Sequence, residues 1–203
     1  MPYCNFDLRK VKQELGAHLI ERLGVFSHIK ESHQISQTLR EMLAETIPLA
    51  RAINTEKARS ELIIANILVE VRKLVNHRIS LFSGIEFNVD QEKGLNGYCD
   101  FIIGDSDEQL FLSRPIIAIV EAKNENIISG LGQCIAEMVA ANIFNAEENS
   151  TEIMKVYGVV TTGTAWKFLK LEGMDVTIDL DEYSIDNPNI IVSIFLAMLA
   201  QNA

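Results

Sequence analysis

The chain has 203 residues, of which 48% are hydrophobic and 23% charged, and this composition is typical of a globular protein with a sizeable core. Its formal net charge of −10 argues against strong stand-alone binding to nucleic acid, because phosphate neutralisation needs basic side chains. A site that holds phosphates through a bound divalent cation is not excluded, since the ion itself supplies positive charge.

Residues 1–54 are predicted to form an N-terminal helical extension. Apolar residues at roughly helical spacing carry this prediction: Phe6, Leu8, Val11, Leu15, Leu19 and Leu23 in a first helix, and Leu39, Met42 and Leu43 in a second. Gly24 and a polar stretch at 27–36 separate the two helices. Pro48 is expected to end or kink the second helix.

Residues 55–180 are predicted to form an α/β core. Thr55 should cap a long helix that ends near residues 75–77. Apolar alternation and turn residues then predict strands at 79–89 (bent at Gly84), 98–103, 116–122, 155–161 and 166–171, a helix at 127–144, a polar loop at 145–150, and short edge segments at 110–112 and 176–180. This order predicts a central mixed sheet of four or five strands flanked by helices.

Residues 181–203 form the third predicted unit, which contains an apolar helix at 190–200. This helix is apolar on more than one face, which favours burial, and a homodimer interface is one way to bury it. No uninterrupted apolar run reaches the roughly 18 residues of a membrane span, and we expect no membrane partner. The three cysteines are widely spaced and form neither a zinc pattern nor a disulfide framework, so we expect a cytoplasmic protein.

Chemistry is expected at the end of the third core strand, where an apolar run leads into Glu121, Ala122 and Lys123. Alternate residues of a strand share a face, so Glu121 and Lys123 should point the same way while Ala122 packs behind them. Such charges are costly to desolvate unless something uses them. Asp100, inside the preceding strand, would stand beside Glu121 if the two strands pair.

Paired carboxylates suit Mg²⁺, which keeps several waters and completes its shell with substrate phosphate. The backbone carbonyl of Ala122 is a candidate further ligand. Lys123 would lie beside a water on that ion, where it could orient the water and offset phosphate charge. The simpler explanation of Asp100 is an ion pair with Lys123, and that of Glu121 and Lys123 is a solvated strand end.

The pattern of Asp100, 20 intervening residues and Glu121-Ala122-Lys123 resembles the PD-(D/E)XK nuclease superfamily. The predicted order around it resembles that superfamily's αβββαβ core, a restriction-endonuclease-like fold, over roughly residues 55–172. Gly130-Leu131-Gly132-Gln133 resembles the GxxQ helix start of one of its branches. Cys99 stands where the motif has proline, and Glu137 stands where that branch has tyrosine.

The resemblance implies a nuclease that hydrolyses phosphodiester bonds in nucleic acid, with DNA as the expected substrate, and that depends on Mg²⁺ or on Mn²⁺ as a substitute. Asp100, Glu121 and the Ala122 carbonyl would bind the metal, and Lys123 would position the attacking water. Gln133 and Glu61 would be accessory catalytic contacts. Glu56 remains the alternative to Glu61, and both acids also fit the plain interpretation of solvated first-turn glutamates.

Two other functions remain open. A catalytically silent domain of the same fold, serving as an interaction or assembly module, is favoured by the acidity and by the lack of a basic stripe. A metal-dependent enzyme acting on a small phosphorylated substrate would tolerate the pI of about 4.9, but no glycine-rich phosphate loop supports it. A nuclease this acidic would also be compatible with a partner protein that supplies specificity.

Overall fold

The computed structural model describes residues 2–146 and 155–200. Within them, eight strands form one sheet: β1 (His18–Arg22), β2 (Ser80–Glu86), β3 (Tyr98–Gly104), β4 (Ile116–Ala122), β5 (Lys155–Thr161), β6 (Ala165–Glu172), β7 (Asp175–Asp179) and β8 (Tyr183–Ser184). Their spatial order is β1-β7-β6-β5-β4-β3-β2, and β8 pairs with β6 off this path. The pairs β4–β5 and β1–β7 are parallel and the others are antiparallel, so the sheet is mixed.

The helices are α1 (Leu8–Glu14), α2 (Gln37–Ile53), α3 (Glu56–Arg59), α4 (Ala65–Leu74), α5 (Ile127–Ala146) and α6 (Pro188–Ala200). A π-helical turn, Ser60–Ile64, joins α3 to α4, and a short 3₁₀ turn, Tyr3–Asn5, precedes α1. The prediction that Thr55 caps this long helical segment is confirmed, because its hydroxyl accepts the Ala58 N–H at 3.1 Å.

Both faces of the sheet are covered, and every residue of the central strand β4 is buried. One core lies between the sheet and helices α2, α4 and α6, while the other lies between the sheet, α5 and the N-terminal turn with α1. A close contact between the N-terminal segment and α5 holds this second layer in place. A Cβ placed on Gly132 of α5 would lie 2.4 Å from the backbone Cα of Asp7, so the N-terminal segment crosses α5 at a residue without a side chain.

Most apolar residues of α5 and α6 are buried within the chain. In the part of the chain that the structure describes, only α5 is long and apolar enough to cross a membrane, and 67% of its most apolar window is buried. A helix buried to this extent is packed in the core. In α6 the buried residues include Ile191, Phe195 and Met198, which face the helices and the sheet of the same chain.

The prediction of an α/β class with a mixed sheet flanked by helices is confirmed, but the N-terminal prediction is wrong in part. Residues 18–22 are strand β1, not helix, and β1 pairs in parallel with β7 from His18↔Asp175 to Arg22↔Asp179. Gly16, with φ of 72°, turns the chain after α1. The spacing of Leu15 and Leu19 fits a helix, but pairing along the edge of β7 supplies the backbone hydrogen bonds that decide the conformation.

Other predicted elements also need correction. The sheet has eight strands, not four or five, and residues 176–180 overlap β7, which lies inside the sheet because β1 covers its far side. Residues 110–112 are not a strand, and Leu110 is almost fully exposed. Helix α2 continues through Pro48 to Ile53, so Pro48 does not end it. Of the predicted loop at 145–150, residues 145 and 146 end α5, while 147–150 lie outside the described residues, as do 201–203 of the third unit.

Candidate active site

The register between β3 and β4 places the two predicted carboxylates next to each other. Phe101 pairs with Val120, so Asp100 and Glu121, the next residues on the two antiparallel strands, lie opposite one another. The Asp100 carboxylate reaches the end of β4, where its Oδ2 accepts the backbone N–H of Ala122 at 2.8 Å. Ala122 itself is fully buried in the core on the other face of the sheet. The geometry therefore brings Asp100, Glu121 and Ala122 together.

Lys123 pairs with Glu121 and not with Asp100. Its Nζ donates to Glu121 Oε1, and Nζ also lies 3.4 Å from Gln133 Oε1 on α5. Glu121 is only 1% exposed, and its second oxygen, Oε2, has no hydrogen-bond partner among the described residues. A buried carboxylate oxygen without a donor is costly. Burying Glu121 with one oxygen unpaired therefore costs folding free energy, and apolar packing does not account for an acid at this position.

The electrostatics of the site are dominated by burial and by the two adjacent acids. Burial, together with the charge of Asp100, raises the pKa of Glu121 to about 8, against the opposing effect of Lys123. Burial acts to lower the pKa of Lys123, but the adjacent Glu121 carboxylate outweighs it, so that the pKa of Lys123 is raised. Carboxylates in this arrangement repel each other, and a cation placed between them would relieve the repulsion.

A solvent-facing cleft of about 250 Å³ opens beside Asp100. It is lined by residues of α3, the π-helical turn, β2 and β3: Glu56, Lys57, Ser60, Glu61, Ser83, Gly84, Asp100 and Phe101. Gly84 of β2 has a φ of 62°, a left-handed conformation that favours glycine, and a Cβ there would meet no atom within 4 Å. Of the residues at the end of β4 and beside it, the cleft therefore reaches Asp100, whereas Glu121 does not line it.

Glu56 and Glu61 both line this cleft, but they differ in their surroundings. Glu61 forms an exposed ion pair with Lys57 at 3.5 Å. The charge of Glu56, by contrast, contributes to raising the pKa of both Glu121 and Lys123. Of the two acids that the sequence leaves open, Glu56 is therefore the one whose charge acts on the Glu121–Lys123 pair.

Gly130 makes room for the lysine. A Cβ at this position would lie 2.7 Å from Val160 Cγ1 and 3.0 Å from both Cγ and Cε of Lys123. The absence of a side chain therefore lets the lysine stem pass between β5 and α5 and deliver its ammonium group to Glu121. The sequence motif Gly130-Leu131-Gly132-Gln133 thus contains two close-approach glycines, of which Gly130 belongs to the site.

Replacing Gly130 by alanine is expected to displace Lys123 and to destabilise the chain by about 1–3 kcal/mol, as overpacking does. If Lys123 takes part in catalysis, misplacement should reduce the rate roughly 10- to 100-fold. Thermal unfolding and cleavage assays measure the two effects. Ser129→Ala, at the exposed neighbouring position on α5, is the control, and equal behaviour of the two variants would contradict this role of Gly130.

The donor set fits a hard divalent cation in part. Asp100, Glu121 and the Ala122 carbonyl offer the oxygen ligands that Mg²⁺ prefers, and the unpartnered Oε2 of Glu121 is free to accept a cation. Among the described residues, however, no three His, Cys, Asp or Glu side chains are grouped closely enough to hold a metal. Water and substrate oxygens would therefore complete the shell.

Glu137 was not predicted to be a site residue, but the structure brings it into the same cluster. It lies on α5 one turn after Gln133, is 0% exposed, and accepts the Gln133 Nε2–H at 3.1 Å through Oε1. The signal was present, because residues four apart on a helix are neighbours and an acid interrupts an otherwise apolar stretch of α5. Without the fold, however, nothing distinguished a buried Glu137 from a solvated one.

The site therefore combines two opposed carboxylates, an ammonium group and a backbone carbonyl, and Asp100 of this set lines an open cleft. Such a set can hold a hard cation, orient a water molecule and offset developing negative charge. Glu121 is buried, which places its carboxylate in a low-dielectric setting and strengthens its electrostatic interactions. A scan against protein-family models and a search of curated proteins found no match for this chain.

Proposed function

We propose that this protein is a Mg²⁺-dependent nuclease with a restriction-endonuclease-like core, of the PD-(D/E)XK type, and that it hydrolyses phosphodiester bonds in DNA. The observation that carries the proposal is the pairing of Asp100 with Glu121 at the end of β4, with Lys123 bonded to Glu121. Two further features support it: the orphaned Oε2 of Glu121, and the cleft that opens beside Asp100.

In this mechanism the side chains divide the work. Asp100, Glu121 and the Ala122 carbonyl would hold Mg²⁺, which when bound supplies Lewis-acid stabilisation of phosphate charge. The ammonium group of Lys123 donates a hydrogen bond to the attacking water and orients it towards phosphorus. The water oxygen forms a bond to phosphorus in line with the leaving oxygen and its proton passes to solvent. The bond between phosphorus and the leaving oxygen breaks, that oxygen takes a proton from solvent, and configuration inverts. Gln133 holds Lys123 through its Oε1, at 3.4 Å from Nζ.

The direct test is a cleavage screen over single-stranded, duplex and branched DNA and over RNA, with Mg²⁺ or Mn²⁺ present and then removed by chelation. Metal-dependent cleavage by the wild-type chain that is lost in Lys123→Ala supports the proposal. No cleavage of any substrate, with intact fold and with both metals tested, would contradict it. That outcome would favour the interaction module, which the net charge of −10 suits.

Glu56 and Glu61 offer a matched pair of variants. Glu56→Gln is expected to reduce cleavage roughly tenfold, because its charge acts on Glu121 and Lys123 and residues that act through a metal ligand contribute about 10- to 100-fold. Glu61→Gln, in an exposed pair with Lys57, is expected to change the rate by less than about threefold, since exposed ion pairs contribute little. A larger loss in Glu61→Gln than in Glu56→Gln would reverse this assignment.

The proposal also includes a partner protein and a homodimer. An acidic nuclease needs help to reach a polyanion, so a specificity-supplying partner protein and a cytoplasmic location belong to the proposal. A homodimer through α6 would bring two active sites into one assembly, one for each strand of a duplex. The half-buried Ile190 and Leu196 are the apolar surface of α6 that such a dimer would use. Light scattering at micromolar concentration is expected to give a dimer mass, and a monomer mass would exclude this interface.

A further inference from the structure

Glu137 is the most deeply buried acid of the site cluster, and the mechanism above gives it no role. It is 0% exposed, in the layer where α5 packs on the sheet. Its Oε1 accepts a hydrogen bond from Gln133 Nε2 at 3.1 Å, while its Oε2 has no partner among the described residues. A leucine or methionine would pack here without that unsatisfied oxygen, so packing does not account for an acid at this position.

The amide of Gln133 joins Glu137 to Lys123. Its Nε2 faces Glu137 and its Oε1 lies 3.4 Å from Lys123 Nζ. A glutamine amide can be turned either way, and its orientation is set by the partners it finds. An ammonium group can only donate, so Lys123 is held by Gln133 only when the amide oxygen faces it. An acceptor behind Nε2 is therefore what fixes the useful orientation.

We propose that Glu137 is a positioning residue that locks the Gln133 amide with its oxygen towards Lys123 and thereby aims the lysine ammonium at Glu121. Glu137 touches neither a substrate nor the lysine, and it acts only through Gln133. The orientation of Gln133 is a statement about the folded chain alone, whereas the effect of that orientation on cleavage rests on the proposed function.

The electrostatic surroundings of Glu137 agree with this role. Burial and the nearby Glu121 charge raise the pKa of Glu137 well above its usual range, which favours a neutral carboxyl group. In either protonation state the carboxyl group offers an acceptor oxygen to Gln133 Nε2. Glutamine, which is isosteric and also accepts through one oxygen, should therefore replace Glu137 in this role, whereas methionine should not.

Nuclear magnetic resonance of the unsubstituted chain tests the orientation directly. In the proposed arrangement, the side-chain amide protons of Gln133 show Overhauser effects to the Cγ protons of Glu137 and none to the Cε protons of Lys123. The amide resonances are assigned by their loss in Gln133→Met. The reverse pattern, with the amide protons against Lys123, would overturn the proposal without any substitution at Glu137.

Two matched variants test how the orientation of the Gln133 amide affects cleavage. The hydrogen bond to Glu137 is expected to slow the exchange of the Gln133 side-chain amide protons with solvent. Glu137→Gln is expected to keep this protection and to cleave within about twofold of wild type. Glu137→Met is expected to lose the protection and to reduce the maximal rate roughly 10- to 100-fold with KM little changed, as removal of a residue that orients a catalytic group does. Equal behaviour of the two variants, in either direction, would overturn the role of the acceptor oxygen.

The Gln133 amide is observed by resonance and the cleavage rate by assay, so the inference about Glu137 and the proposed function can fail independently. If the wild-type chain cleaves no substrate, the Gln133 amide orientation and its protection still decide whether Glu137 positions it. If cleavage is present but Glu137→Met leaves both the amide protection and the rate unchanged, the inference fails while the nuclease proposal stands. If Glu137→Met does not fold, the Overhauser pattern of the wild-type chain decides the question.

Discussion

Asp100→Asn is expected to reduce metal-dependent cleavage at least about 100-fold while leaving the fold intact, because a lost metal ligand removes several kcal/mol of charge stabilisation. Asparagine keeps the shape of aspartate, and its Oδ1 can still accept the backbone N–H of Ala122, which Asp100 Oδ2 accepts at 2.8 Å. The substitution therefore removes a charge without removing the contact that ends β4. Single-turnover cleavage measures the effect on chemistry.

The same substitution should also change the pKa of Glu121. The charge of Asp100 is one of the causes that raise the pKa of Glu121 to about 8, so its removal should lower that pKa. Thermal unfolding serves as the control for the fold, and Glu45→Gln, an exposed acid on α2, as the control for a change of one charge. Cleavage by Asp100→Asn within about threefold of wild type would show that Asp100 is not a ligand.

The free energy of unfolding is expected to fall as pH rises from about 5 to about 8, because two buried carboxyls bind protons more tightly in the folded chain. The pKa of Glu121 is raised from 4.5 to about 8, and that of Glu137 is raised well above 4.5. An acid with a raised folded pKa contributes stability below its unfolded pKa and loses it as pH rises through the folded one. Urea unfolding at several pH values gives the slope.

Glu137→Gln should flatten this slope and raise stability at pH 8, because it removes one of the two carboxyls whose pKa is raised by burial. Lys123 does not interfere, because its pKa is raised from 10.5 and so titrates above this window. Glu45→Gln is again the control and should leave the slope unchanged. A wild-type stability that is constant or that rises between pH 5 and pH 8 would contradict the burial of uncompensated carboxyls.

The central elements were predictable because their signals are local. The apolar run before Glu121 predicts β4, and residue alternation along a strand predicts that Glu121 and Lys123 share a face, as the ion pair between them confirms. The cap by the hydroxyl of Thr55 is also a local signal, and it is confirmed. These features depend on a few neighbouring residues and on backbone geometry.

The remaining errors arise where distant contacts decide the structure. Residues 18–22 become β1 because β7, more than 150 residues later, offers a free edge, and no local pattern encodes that pairing. The burial of Glu137 depends on how α5 lies on the sheet. The preference of Lys123 for Glu121 over Asp100 depends on the space that Gly130 leaves beside the lysine stem.

The most direct test of the central claim is calorimetric titration of the chain with Mn²⁺ and Mg²⁺, with a DNA oligonucleotide present to supply phosphate oxygens. Wild type, Asp100→Asn and Glu121→Gln are compared under the same conditions. We predict binding of a divalent cation to the wild-type chain that is lost in both variants. Absence of binding to the wild-type chain at millimolar metal, or equal binding by all three proteins, would contradict the carboxylate site.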